Sequence, residues 1–213
     1  MGGRGASSSG SDGLPAKFRD VLGRKSSPRS AEVALKTANP KFNEDRAYRI
    51  NCQRCIWAYE MQRRGYKVQA RGNHGDDFNH WDNKQGFSHV FEDAKFEPVG
   101  WWAEGSVPTL PKSKGGTVTQ RRQVARNIEK KMKEWGEGSR AAVCVGWRDA
   151  ETGHAFSVEN IGGKVYIVDA QPGKKMPLMD YIDRASLRST YICRTDNLKK
   201  PNYEAMKKAV KPI

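Results

Sequence analysis

Residues 153–171 read GHAFSVENIGGKVYIVDAQ. Two runs rich in Val, Ile and aromatic residues flank Gly162-Gly163, a pair suited to a two-residue hairpin turn because glycine tolerates positive φ. Such a turn pairs Ile161 with Lys164, fixes the register and sets His154 opposite Gln171. Side chains alternate along a strand, so His154, Phe156 and Val158 share a face with Val165, Ile167, Asp169 and Gln171. The other face carries Ala155, Ser157, Glu159, Tyr166, Val168 and Ala170. An imidazole and a carboxylate thus become neighbours at one end of a face that is otherwise apolar and directed at a core. A four-residue loop preserves this parity, whereas an unbulged three-residue loop reverses it.

Just upstream, AAVCVGW at 141–147 supplies a third short run, and turn residues separate the three. This pattern predicts an antiparallel meander. Before it, Val124, Ala125, Ile128, Met132 and Trp135 keep helical spacing over 119–135, with Thr near the start and Gly136 after the end. These signals predict an amphipathic helix with a basic outer face. A second helix is predicted from Asn51, a good N-cap residue, with Cys52, Cys55, Ile56 and Tyr59 forming one apolar stripe and Gly65 stopping it. Tyr66, Val68 and Ala70 then alternate with Lys67 and Gln69 as in a half-buried strand. The fold class expected is α+β, with a helix that opens on Cys52 packed on an antiparallel sheet.

The 213 residues suffice for one domain with its own core. The first 36 residues, rich in Gly, Ser and basic residues, are expected to form a flexible leader. Residues 37–197 would hold the folded domain, and 198–213, including KKPNYEAMKKAVKPI, a basic peripheral tail. Residues 71–114 are loop-rich and give no clear element pattern. Lys and Arg number 38 against 24 Asp and Glu, a net charge of +14. A surface this basic attracts nucleic acid, acidic proteins or anionic lipid without naming one. No run approaches the ~18 apolar residues of a membrane helix, and no signal-peptide core opens the chain. A protein kept in a reducing compartment is expected, with Cys144 and Cys193 as thiols inside strand-like runs.

A His beside an Asp on a partly buried face is the arrangement that fixes one imidazole tautomer and steadies the imidazolium. A nucleophile is available in Cys52, because the first turn of a helix offers the positive end of the dipole and free N–H groups, both of which favour a thiolate and an oxyanion. The Cys52-x-x-Cys55 spacing also suits zinc or redox chemistry, yet zinc usually wants a second close pair, and Cys144 and Cys193 are isolated from each other. His74, His80 and His89 lie among loops without ligand spacing. No metal or cofactor is expected.

Three segments, INCQRCIWAYEMQRRGY, GHAFSVENIGGKVYIVDAQ and more loosely MPLMDYIDRAS, resemble the papain-fold toxin family, described as glutamine deamidases or peptidases. Such domains stand at the ends of bacterial polymorphic toxins and of phage minor head proteins, whose Gly- and Ser-rich linkers MGGRGASSSG also resembles. The likeness runs from about Asn39 to Asn197 and keeps the order Cys, His, Asp. It implies a papain-like fold, Cys52 as nucleophile, His154 as general base and Asp169 as its orienting partner. Gln171 and Asn51 would support the site, Asn51 as a further donor near the oxyanion. Relatives usually have Asp-Pro-Gln where this chain has Asp169-Ala170-Gln171. Cys55, followed by Ile-Trp, faintly echoes the cysteine before Trp of papain-like proteases and is the alternative nucleophile.

The activity implied is amide hydrolysis on a protein substrate through a thioester, with glutamine deamidation first and peptide cleavage as the variant. Candidate partners are an immunity protein or phage head components, in a bacterial cytoplasm or a virion, with no membrane. The rival from another class is a non-catalytic head-associated protein that binds DNA through its basic segments.

Overall fold

A computed structural model describes residues 14–100 and 115–213. The beginning of the expected leader and residues 101–114 of the loop-rich stretch lie outside the described residues. The helices are α1 (Arg19–Leu22), α2 (Ala31–Thr37), α3 (Cys52–Arg63), α4 (Val118–Trp135), α5 (Met179–Ile182) and α6 (Tyr203–Ala209). The strands are β1 (Val68–Ala70), β2 (Glu97–Pro98), β3 (Arg140–Trp147), β4 (Gly153–Ile161), β5 (Lys164–Asp169), β6 (Lys174–Pro177), β7 (Ala185–Arg194) and β8 (Val210–Pro212). Among the described residues, short 3-10 turns occupy four further sites.

The hairpin register is the one the glycine pair dictates: Ile161 pairs with Lys164 and Val158 with Ile167. Gly162 and Gly163 both take positive φ, +61° and +76°, which a side chain would oppose. The Glu137 carboxylate accepts from both of their N–H groups, at 2.8 and 2.9 Å, and pins the turn to the end of α4. β3, β4 and β5 form the expected meander inside a six-stranded antiparallel sheet of order β2-β7-β3-β4-β5-β6. The architecture is α+β, as expected.

Both faces of this sheet are covered. Phe156, Val158, Val165 and Ile167 join Val124, Ile128 and Met132 of α4 in one apolar cluster. Ala155, Val168 and Ala170 join Cys55, Ile56 and Tyr59 of α3 in the other. α4 behaves as its spacing predicts, starting at a Thr117–Gln120 capping box and ending before Gly136. α3 departs from the single stripe expected of it: Arg54, Trp57, Glu60 and Gln62 are buried along with the apolar positions. Elements pack on all its sides, so its polar residues are held by internal hydrogen bonds rather than by water.

The chain on either side of the expected domain is also built into the fold. From Leu14 onward the segment read as leader forms α1 and α2, and Phe18, Val21, Leu22, Ala34 and Leu35 enter the α3-side core. Apolar residues spaced among Gly, Ser and Arg dilute the average composition without losing a packing face. The segment read as a peripheral tail forms α6 and β8, with Ala205, Met206, Ala209 and Val210 buried, and β8 pairs with β1 in a separate two-stranded sheet. Its lysines project outward from a buried apolar stripe, which a reading by charge misses. Among the described residues no helix is long and apolar enough to cross a membrane.

Candidate active site

The β4–β5 ladder closes at Ser157–Val168, short of the sheet end. Asp169 ends it by accepting the Gln171 backbone N–H on Oδ1 at 3.0 Å, a local turn of the kind Asp favours. Gln171 therefore leaves the strand instead of standing opposite His154. His154 reaches Asp169 diagonally: its Nε2 lies 2.6 Å from Oδ2. Asp169 is 1 % exposed and the His154 side chain 12 %, so the pair is shielded with one edge of the ring accessible.

With Nε2 engaged, Nδ1 is the nitrogen left for a second partner, and Cys52 lies within electrostatic reach of the ring. Cys52 is the first residue of α3, half-buried, and packs with the α3-side core. His154 stands instead among Trp147, Phe156 and Tyr181. The sulfur and the ring thus come from opposite layers and meet at the sheet end. Burial disfavours the imidazolium most, but the hydrogen bond and charge of Asp169, with Cys52 beside the ring, outweigh it and push His154 up to about 10.

Three residues that carry no signal of their own complete the arrangement. The Tyr181 hydroxyl donates to Asp169 Oδ2 at 2.7 Å, sharing the oxygen that holds His154. Tyr181 sits on α5 within MPLMDYIDRAS, so its segment was legible while its role was not. Trp147 stacks on the imidazole, 6.0 Å between centroids and 19° between planes, and covers the ring from the sheet side. Asn39 is 5 % exposed and donates to the carbonyls of Tyr48 and Gln171, both at 2.9 Å.

Asn51 does not act as the side-chain cap expected of it. Its amide donates to Asn39 Oδ1 and to the Arg71 carbonyl, and its Oδ1 accepts from Cys55 Sγ at 3.2 Å and Gln171 Nε2 at 3.4 Å. A side chain so tied cannot reach the first-turn N–H groups, which leaves the start of α3 next to Cys52 without a side-chain cap. Cys55 is 1 % exposed, and burial above all, with the neighbouring Cys52 and Asp169, pushes its thiol well up. Cys144, on β3, is raised chiefly by burial as well, and Cys193, on β7, is pushed up to about 12. All four cysteines are free thiols. Among the described residues no group of three or more His, Cys, Asp and Glu side chains could hold a metal ion.

A cysteine at an uncapped helix start stands near a histidine that is hydrogen-bonded to a buried aspartate, which is the set of groups that acyl transfer through a thiol requires. A family model described as papain fold toxin 1, glutamine deamidase, matches residues 50–174, a span that contains all three. No curated protein and no solved structure matches the chain.

Proposed function

The chain belongs to the papain fold toxin 1, glutamine deamidase family, and from that premise we propose that it deamidates glutamine side chains of a protein substrate with Cys52, His154 and Asp169. The observation that carries this reading is His154 bonded to Asp169, with Cys52 close enough to the same ring to influence its charge. The Cys52 thiolate attacks the carboxamide carbon, and the oxyanion forms against the Cys52 N–H at the uncapped start of α3. The His154 imidazolium gives its Nδ1 proton to the amide nitrogen, and ammonia leaves a thioester. Water, deprotonated by His154, attacks the thioester, glutamate forms and the thiol returns. Asp169 keeps the ring in one orientation throughout, with Tyr181 and the Gln171 N–H fixing the carboxylate.

Cys55 supports the reading by contrast: its sulfur donates to Asn51 inside the core and is disfavoured as a thiolate. The test incubates the purified chain with glutamine-rich proteins, measures ammonia, and maps glutamine-to-glutamate conversion by peptide mass spectrometry. Ammonia and labelling by a thiol-directed activity probe, both lost in Cys52→Ala and kept in Cys55→Ala, are the expected results. Labelling that follows Cys55, or new peptide ends in place of ammonia, overturns the assignment.

A further inference from the structure

A pocket about 550 Å³ in volume lies beside α3, and neither Cys52, His154 nor Asp169 lines it. Its size falls in the range of small-molecule sites, roughly 300–1,000 Å³. Arg54, Arg71, Lys207, Lys208 and Lys211 all line it, and only two carboxylates, Asp76 and Glu204, stand among them. An excess of three positive charges therefore faces one concavity.

Arg54 distinguishes this pocket from an ordinary solvated basic face. Its side chain is only 1 % exposed, and its Nε is buried without a hydrogen-bond partner. The remaining guanidinium nitrogens bond Asp76 and the Lys208 carbonyl, and the ring of Phe78 lies 4.5 Å beneath. Burial, and to a smaller extent Arg71, disfavour this charge more than Asp76 favours it, so Arg54 is lowered from its ordinary value. Lys208 is paired with Asp77, whereas Arg71, Lys207 and Lys211 make no ion pair among the described residues. A planar buried donor beside several ammonium groups suits a compact anion of several charges.

The geometry points to a binding site for a multiply phosphorylated small molecule in the pocket between Arg54, Arg71 and the lysines of α6 and β8. Phosphate oxygens would engage Arg54 and Arg71 at the wall and Lys207 and Lys211 at the mouth. The pocket also adjoins the catalytic helix start, since the Arg71 carbonyl holds the Asn51 amide at 2.9 Å.

Isothermal titration of the full chain at physiological ionic strength tests this, with tripolyphosphate as the probe and adenosine triphosphate and inositol hexakisphosphate as parallel arms. One saturable site is expected, weakened about ten-fold or more in Lys207→Gln/Lys211→Gln. Lys130→Gln/Lys133→Gln on the exposed face of α4 removes the same charge and should leave binding unchanged. Equal affinity for all three probes means that the phosphate groups alone are read; a preference identifies the nucleotide or the inositol as the source. Absence of saturable binding, an equal loss in the α4 variant, or binding of a short single-stranded RNA without binding of tripolyphosphate overturns the site.

Discussion

At its first turn α3 has no side-chain cap, its preceding Asn51 is tied to other elements, and its leading thiol is half-buried beside an imidazole. Two turns later the same helix is closed by buried ions. Glu60, 1 % exposed, accepts from Arg64 at 2.7 Å, from Arg140 of β3 at 2.8 and 3.0 Å and from Thr195 at 3.0 Å. Glu159 of β4 accepts from Tyr59 and from Arg63, the latter at 2.5 Å. In the proposed mechanism one end keeps its backbone N–H groups available for a substrate, while the other uses its polar side chains in fixing the helix to the sheet. The contrast teaches that reactivity and anchoring are separated along a single element, so substitutions at the two ends should affect different measurements.

The largest expected effect is at the reactive end. Cys52→Ala should lower the deamidation rate by about 10⁴-fold or more while the melting temperature stays near that of the unchanged chain. A loss of folding in place of a loss of rate would erase the distinction between the two ends.

Asp169→Asn comes next and sharpens the electrostatic side of the comparison. It should cost about 10³–10⁴ in kcat, since the amide can hold the wrong imidazole tautomer. In the unchanged chain the imidazolium survives until pH passes about 10, because Asp169 and Cys52 raise His154. Removing the carboxylate takes away a raising influence, so the alkaline limb of the rate profile should move to lower pH. The stability that His154 contributes has the same sign: it is present below the ordinary histidine range and is lost as pH rises through about 10. An alkaline limb that stays in place in Asp169→Asn would separate the limb from His154.

At the anchored end the effect moves to stability. Glu60→Gln leaves the partly buried Arg140 and Arg64 beside a neutral amide, and should cost up to about 3 kcal/mol in denaturant unfolding while the rate per folded molecule is kept. Burial alone would raise the Glu60 carboxyl, but Arg140 and Arg64 override it and hold it below its ordinary value. Its contribution is therefore present above the ordinary glutamate range and lost as pH falls through the lowered one. Glu60→Gln should flatten that acid limb of the stability curve.

The reactive end was more legible in the sequence than the anchored one. Gly162-Gly163 and strict alternation carry the register of β4 and β5, and from them the meeting of His154 with Asp169. The same alternation could not show where the ladder stops, because Asp169 ends it with a local side-chain bond to its own backbone. Nothing local to Glu60, Arg64 and Arg140 tells that they meet where α3 packs on the sheet. Asn51 is a good capping residue by type, yet its amide donates to residues 12 and 20 positions away in the chain. The apolar stripe of α6 was hidden by its lysines, and Tyr181 needed the third dimension to meet a carboxylate 12 residues earlier.

Tyr181→Phe probes that last contact. Asp169 keeps its bonds to His154 and to the Gln171 N–H, so only one of three orienting contacts is removed. A roughly ten-fold fall in kcat with KM unchanged is expected of a hydroxyl that positions a charged partner without touching the substrate. A rise in KM with kcat kept would assign Tyr181 to substrate binding instead.

The smallest effect extends the comparison to a second helix start. α4 begins as α3 does not: the Thr117 hydroxyl accepts from the Gln120 N–H, and the Gln120 side chain accepts from the Thr117 N–H at 2.8 Å. Thr117→Ala removes half of this box and should cost about 1 kcal/mol of stability with no change in deamidation, because α4 covers the sheet far from the thiol. The reverse substitution at α3, Asn51→Thr, places a capping hydroxyl where the oxyanion is proposed to form. If an open helix start is what the chemistry uses, Asn51→Thr lowers the rate although it supplies a good cap. Activity retained in Asn51→Thr would mean that the absence of a cap at α3 follows from the ties of Asn51 alone and has no part in catalysis.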